Sequence, residues 1–183
     1  MQHHAITLIE LNSIAKGIET ADAMLKSAEV TLLAAKSICP GKFIVLVGGD
    51  VAAIEQASAS GQRCASHLLV DHFTIANLHP DVLPAISGVT KVDDISAVGV
   101  LETYSVAACI AAADLAAKTA SVTLIRIHLA FGIGGKCYFV LCGDVAAVES
   151  AMAAAAGQTG EKGLLVYQTV IPRPDPALLT ALI

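Results

Sequence analysis

The chain has 183 residues, a formal net charge of −5, and a mean hydropathy of +0.70, with 55% hydrophobic and only 15% charged residues. The absence of any basic run argues against a nucleic-acid partner, and no uninterrupted apolar stretch reaches the roughly 18 residues of a membrane span. So little charge cannot cover a surface, which points to extensive protein–protein burial.

The opening MQHHAITLIEL has no basic segment and no cleavage pattern, so a cytoplasmic chain is expected; His3 and His4 are too few to be a purification tag. Ala5 to Glu10 is a short apolar run bounded by polar residues, read as a strand. Ser13 follows as a helix N-cap, its hydroxyl placed to accept from an unpaired amide of the first turn. Ile14, Ile18, Ala21, Leu25 and Ala28 then recur at steps of four and three, one face of a helix. Asp22 and Lys26 lie four apart on the other face. Residues 30–38 and 43–47 are β-rich, separated by the Pro-Gly turn Cys39-Pro40-Gly41-Lys42. Asp50 is placed to cap a second helix through about Ala65, and Leu68 to Ile75 reads as a further strand. A short helix is expected near Asp81 to Ile86. Residues 87–96, with Gly88, Lys91, Asp93 and Asp94, form the linker.

Beyond the linker the pattern starts again. Ala5, Glu10, Ser13, Asp22, Lys26, Val30 and Leu32 return as Ala97, Glu102, Ser105, Asp114, Lys118, Val122 and Leu124. The spacing then widens by two: Gly41-Lys42 matches Gly135-Lys136, and GDVAA at Gly49 to Ala53 recurs at Gly143 to Ala147. Solenoid repeats run about 20–50 residues, so this longer period marks two domains in tandem, 1–92 and 93–183. Each reads strand, helix, strand, strand, helix, strand, with a short helix after it. That order is α+β and ferredoxin-like, with the helices on one face of a small antiparallel sheet.

The turn between the second and third strands is where the halves differ. The first has Ser37-Ile38-Cys39-Pro40-Gly41; the second, two residues longer, has Phe131-Gly132-Ile133-Gly134-Gly135. Loops on a common scaffold usually carry function. GIGGK at Gly132 to Lys136 lacks the Ser or Thr that must follow a P-loop lysine, since Cys137 stands there; its glycines suit a tight, side-chain-free loop. Five cysteines, an odd number without CxxC spacing, do not make a disulfide framework. Cys64, Cys109, Cys137 and Cys142 are read as packing residues, with Cys109 standing where the first half has Gly17. Cys39, beside Pro-Gly in a turn, is poorly placed for a core. His128 occupies the strand position of Lys36 and is read as a solvated strand-end residue. No nucleophile–base–acid series is recoverable, and an enzyme is not indicated.

AITLIEL at 5–11, AVGVLET at 97–103, ADAMLKSA at 21–28, the two GDVAA helix starts and VIPRPD at 170–175 together resemble the bacterial microcompartment shell domain, twice over and in unpermuted order. Among tandem-domain members the likeness is greatest to those of propanediol-utilisation compartments. The resemblance implies a shell tile in the cytoplasm, a homotrimer mimicking a hexagon around a central pore, with other shell proteins as partners. It implies tile-edge roles for Lys26, Lys118 and Arg173, although His79 replaces the arginine in the first half. It also implies a 4Fe–4S cluster, one per trimer, held by three symmetry-related Cys39 thiolates. The function would be electron transfer across the shell or cluster delivery, with a lumenal redox enzyme as a further partner. The alternatives are a tile with a plain metabolite pore and a ferredoxin-like trimeric regulator binding a small molecule between subunits.

Overall fold

Each half builds a four-stranded antiparallel sheet with two helices against it. A computed structural model describes residues 5–90 and 95–178; His3, His4 and the middle of the expected linker lie outside them. In the first half β1 (Ala5–Leu11), α1 (Ile14–Ser27), β2 (Thr31–Ile38), β3 (Lys42–Gly49), α2 (Val51–Ala65) and β4 (Leu69–Ile75) follow the expected order. The short α3 (Val82–Ser87) comes next, then β5 (Ala97–Thr103), α4 (Val106–Thr119), β6 (Val122–His128), β7 (Cys137–Gly143), α5 (Val145–Glu161) and β8 (Leu165–Pro172). The sheets are ordered β2-β3-β1-β4 and β6-β7-β5-β8. Even the irregularities repeat: register shifts fall at Glu10/Leu11 and Leu32/Ala34 in one sheet, and at the matching Glu102/Thr103 and Leu124/Arg126 in the other.

Local chemistry explains the element boundaries. Ser13 and Ser105 have extended backbones and accept from the amides of Lys16 at 3.2 Å and Ala108 at 3.0 Å, as N-caps do. Asp50 and Asp144 also stand at N-cap positions, but neither side chain makes a cap hydrogen bond. In α1 the buried residues are Gly17, Thr20, Ala21 and Met24. Of the apolar stripe read from the sequence, only Ala21 is buried; Ile14 is 46% and Ile18 61% exposed. The helix therefore has two apolar faces, and the smaller side chains take the sheet because the approach there is close. A Cβ on Gly17 would sit 2.4 Å from the Phe43 ring. The matching positions in the second half are Cys109 and Cys137, both fully buried. A glycine and a phenylalanine have been exchanged for two side chains of intermediate size, a volume-conserving substitution.

The chain forms two compact units. The first runs through Leu78 and takes in Ala130–Gly135; the second holds His79–Leu129 and continues from Lys136. The core of the first joins Ile9, Leu11, Met24, Phe43, Val45, Val47 and Ala57. In the second, Val98, Ile125, Val140 and Cys142 make one cluster, and α3 packs against β6.

Candidate functional site at the paired loops

The β2–β3 turn and the loop between β6 and β7 come together within the first unit, although Cys39 and Ala130 are far apart in sequence. The Cys39 amide donates to the Ala130 carbonyl at 3.2 Å, and the Gly41 amide closes its own turn on the Ile38 carbonyl at 3.0 Å. Ile38 is buried and anchors the turn, Ser37, Pro40 and Gly41 are exposed, and the Cys39 thiol is free and half-buried. On the other side Ala130 is fully buried while Phe131 is 72% exposed and Ile133 37%.

Gly135 shows why this loop needs glycine. Its φ is +86°, and a Cβ there would lie 2.7 Å from the Cys39 carbonyl oxygen and 2.8 Å from Pro40 Cδ. Only a residue without a side chain lets the two loops touch. Gly135→Ala is expected to lose about 1–2 kcal/mol for the left-handed backbone alone, and further stability from pushing the Cys39 turn away. Gly132→Ala, at φ +75° with nothing within 4 Å, carries only the backbone cost. Equal losses in urea unfolding would show that the close approach contributes nothing.

An ion pair stands at the foot of each loop. Lys42 Nζ meets Glu10 Oε1 at 2.8 Å with side-chain exposures of 16% and 0%. The matching Lys136–Glu102 pair is looser, 3.4 Å, and far more exposed. The pairing fixes where β3 and β7 begin relative to the strands beside them.

The other expected site residues lie elsewhere. Lys26 is exposed and pairs with Asp22 at 2.7 Å. Lys118 is less exposed and pairs with Asp114, which is buried and also accepts from the His79 amide at 2.8 Å. Arg173 is exposed with φ +50°, its amide donating to the Ser96 carbonyl at 2.8 Å. His128 stacks on Tyr138, its cross-strand partner, with ring centroids 5.2 Å apart. Cys109, Cys137 and Cys142 are buried, whereas Cys64 is only half-buried and donates to Glu19 at 3.8 Å. The hydrogen bond between Lys16 and Glu19 raises the Lys16 pKa and lowers that of Glu19. Among the described residues no three His, Cys, Asp or Glu of one chain are grouped to hold a metal ion, and no helix is long and apolar enough to cross a membrane.

This twice-built fold has close relatives. The BMC domain family matches residues 5–78 and again 97–174. The bacterial microcompartment shell protein PduT of Citrobacter freundii is 58% identical over 95% of this chain and 95% of its own length. The carboxysome assembly protein CcmO of a Synechocystis species is 31% identical over 92% of this chain and 61% of its own. A solved microcompartments protein from Desulfitobacterium hafniense superposes with a TM-score of 0.87 at 51% identity, covering 96% of this chain and 98% of that one. The chain belongs to the bacterial microcompartment shell family, with two BMC domains in tandem.

Proposed function

We propose that three copies of this chain close into a six-domain shell tile whose axis carries the three Cys39 turns, and that those thiolates hold one 4Fe–4S cluster. The observation that carries this reading is the contact between the two loop types, Cys39 N–H to the Ala130 carbonyl. The loops that differ between the repeats stand side by side, as they must if they alternate around one axis.

The donor set fits such a group only across copies. A cubane normally takes four thiolates, and the Cys39 turn offers one. Three from three chains leave one iron open to water or a small ligand. Cys39 is free and only half-buried, Gly41 has nothing within 4 Å of its Cβ position, and Gly132 and Gly134 are equally unobstructed, so the turn leaves space for a shared group. When bound, the cluster supplies one-electron chemistry. The chain's own contribution is to ligate through Cys39, to hold that residue's backbone on Ala130, and to keep side chains out of the loop at Gly135. A cluster held there would serve electron transfer across the shell to a lumenal redox enzyme, or its own delivery. Lys26, Lys118 and Arg173 are the proposed contacts to neighbouring shell proteins.

The test is mass and metal together. Light scattering at micromolar concentration should give three times the chain mass, and anaerobically reconstituted protein should hold about one cluster per three chains. A monomeric mass overturns the tile. A trimer that takes up no iron and sulfide overturns the cluster and leaves a plain metabolite pore.

A further inference from the structure

Two of the cysteines occupy positions that face each other across a helix–sheet contact. In the first repeat a Cβ built on Gly17 lies 2.6 Å from the Cβ of Phe43, so nothing separates these two positions. Their counterparts are Cys109 on α4 and Cys137 on β7. The backbone fixes the equivalence as firmly as the sequence does. Gly17 and Cys109 both donate their amides to the carbonyl of the N-cap serine, Ser13 or Ser105. Phe43 and Cys137 pair with Leu11 and Thr103, the last residues of β1 and β5.

The second repeat brings the two cysteines together by its own hydrogen bonds. Cys137 is the sheet partner of Thr103. The Thr103 hydroxyl donates to the Ser105 carbonyl at 2.7 Å, and that same carbonyl accepts from the Cys109 amide at 3.1 Å. Both cysteines are thus held at one corner of the chain, where neither has any exposure. A Cβ–Cβ separation of 2.6 Å admits no pair of real side chains. Widening it by about 1 Å reaches the roughly 3.5–4.5 Å at which a disulfide closes.

We propose that Cys109 and Cys137, free thiols in this structure, are a site of reversible disulfide formation that ties the N-terminal end of α4 to the start of β7. Cys39 takes no part in it. The oxidant is a hydroperoxide, in the simplest case hydrogen peroxide. One thiolate attacks a peroxide oxygen and becomes a sulfenic acid, and a water leaves. The other thiol attacks that sulfur, the S–S bond forms, and the sulfenic oxygen departs as a second water. Two thiols give up two protons and two electrons, and one peroxide accepts all of them. Because both sulfurs lie in the interior, reagents reach them only through local opening, so the bond forms slowly and is shielded once made. It closes the loop that runs through β6 and the glycine run before Cys137, which restricts the unfolded chain.

The test uses the full-length, metal-free chain with Cys39→Ser, so its outcome is independent of any cluster. After treatment with one equivalent of hydrogen peroxide, then denaturation and alkylation, peptide mass mapping should find Cys109 joined to Cys137 within one chain. The oxidised protein should melt about 5 °C or more above the reduced one. It should resist a glutathione-class thiol when folded and yield to it in urea. Cys109→Ala and Cys137→Ala, each added to that chain, should both abolish the joined peptide and the thermal gain. Separately alkylated Cys109 and Cys137 in the oxidised chain, or a bond to a different cysteine, overturns the site. A thermal gain that survives in Cys137→Ala does so too.

Discussion

Cys39→Ser is expected to abolish cluster binding while leaving the oligomer nearly unchanged. A serine hydroxyl is harder and far less acidic than a thiol, and it is a poor ligand toward iron. The turn itself adds little to the core: Pro40 and Gly41 are exposed, and its backbone hydrogen bonds to Ala130 and within Ile38–Gly41 do not involve the thiol. Cys→Ser at Cys64, Cys109, Cys137 or Cys142 should retain iron. The three buried ones should lose about 1–3 kcal/mol for the hydroxyl taken out of water. The readout is iron and acid-labile sulfide per chain across all five variants after anaerobic reconstitution. Retention of the cluster in Cys39→Ser would place the site elsewhere, as would its loss in another variant that still forms the parent oligomer.

Lys42→Met should be the most damaging single charge removal at the loops, by about 3 kcal/mol or more. Glu10 has no exposure and Lys42 little, so the substitution takes the counter-charge from a carboxylate that water does not reach. The equivalent Lys136→Met removes a partner from Glu102, which is 37% exposed, and should cost no more than about 1 kcal/mol. Replacing both partners, Glu10→Leu with Lys42→Met, should recover much of the loss because no charge is then left in the interior. Urea midpoints for the three variants decide this. Matching losses from the two lysines would mean that burial does not control the strength of the pair.

Local features were legible in the sequence because their causes are local. The serine caps, the strand runs, the Asp22–Lys26 pair and the Pro-Gly turn each depend on residues within one turn of helix or strand, and all but the Pro-Gly turn repeat. The second face of α1 was not so readable. Ile14, Ile18 and Leu25 carry the stronger periodic signal, yet the sheet takes Gly17, Thr20, Ala21 and Met24. Hydrophobic periodicity reports that a face is buried somewhere, not what buries it, and Phe43 leaves space at Gly17 for no side chain at all. The meeting of Cys39 with Ala130 was beyond sequence reasoning for a related reason. The two lie in different repeats, joined by the Cys39 amide on the Ala130 carbonyl and by the close approach of Gly135 to the Cys39 carbonyl. A glycine run in a lengthened loop is the signal that points there, but it names no partner.

The exchange of Gly17 and Phe43 for Cys109 and Cys137 has a consequence for how the halves can vary. A side chain acceptable in one repeat is a clash or a void when copied to the other, so the effect of a substitution depends on its partner and the two changes do not add. A consensus averaged over both halves would set a cysteine against a phenylalanine or a glycine beside a cysteine, overfilled in one case and hollow in the other. Duplication made the halves alike, but at this spot they have become separate inheritances, each correct only with its own mate.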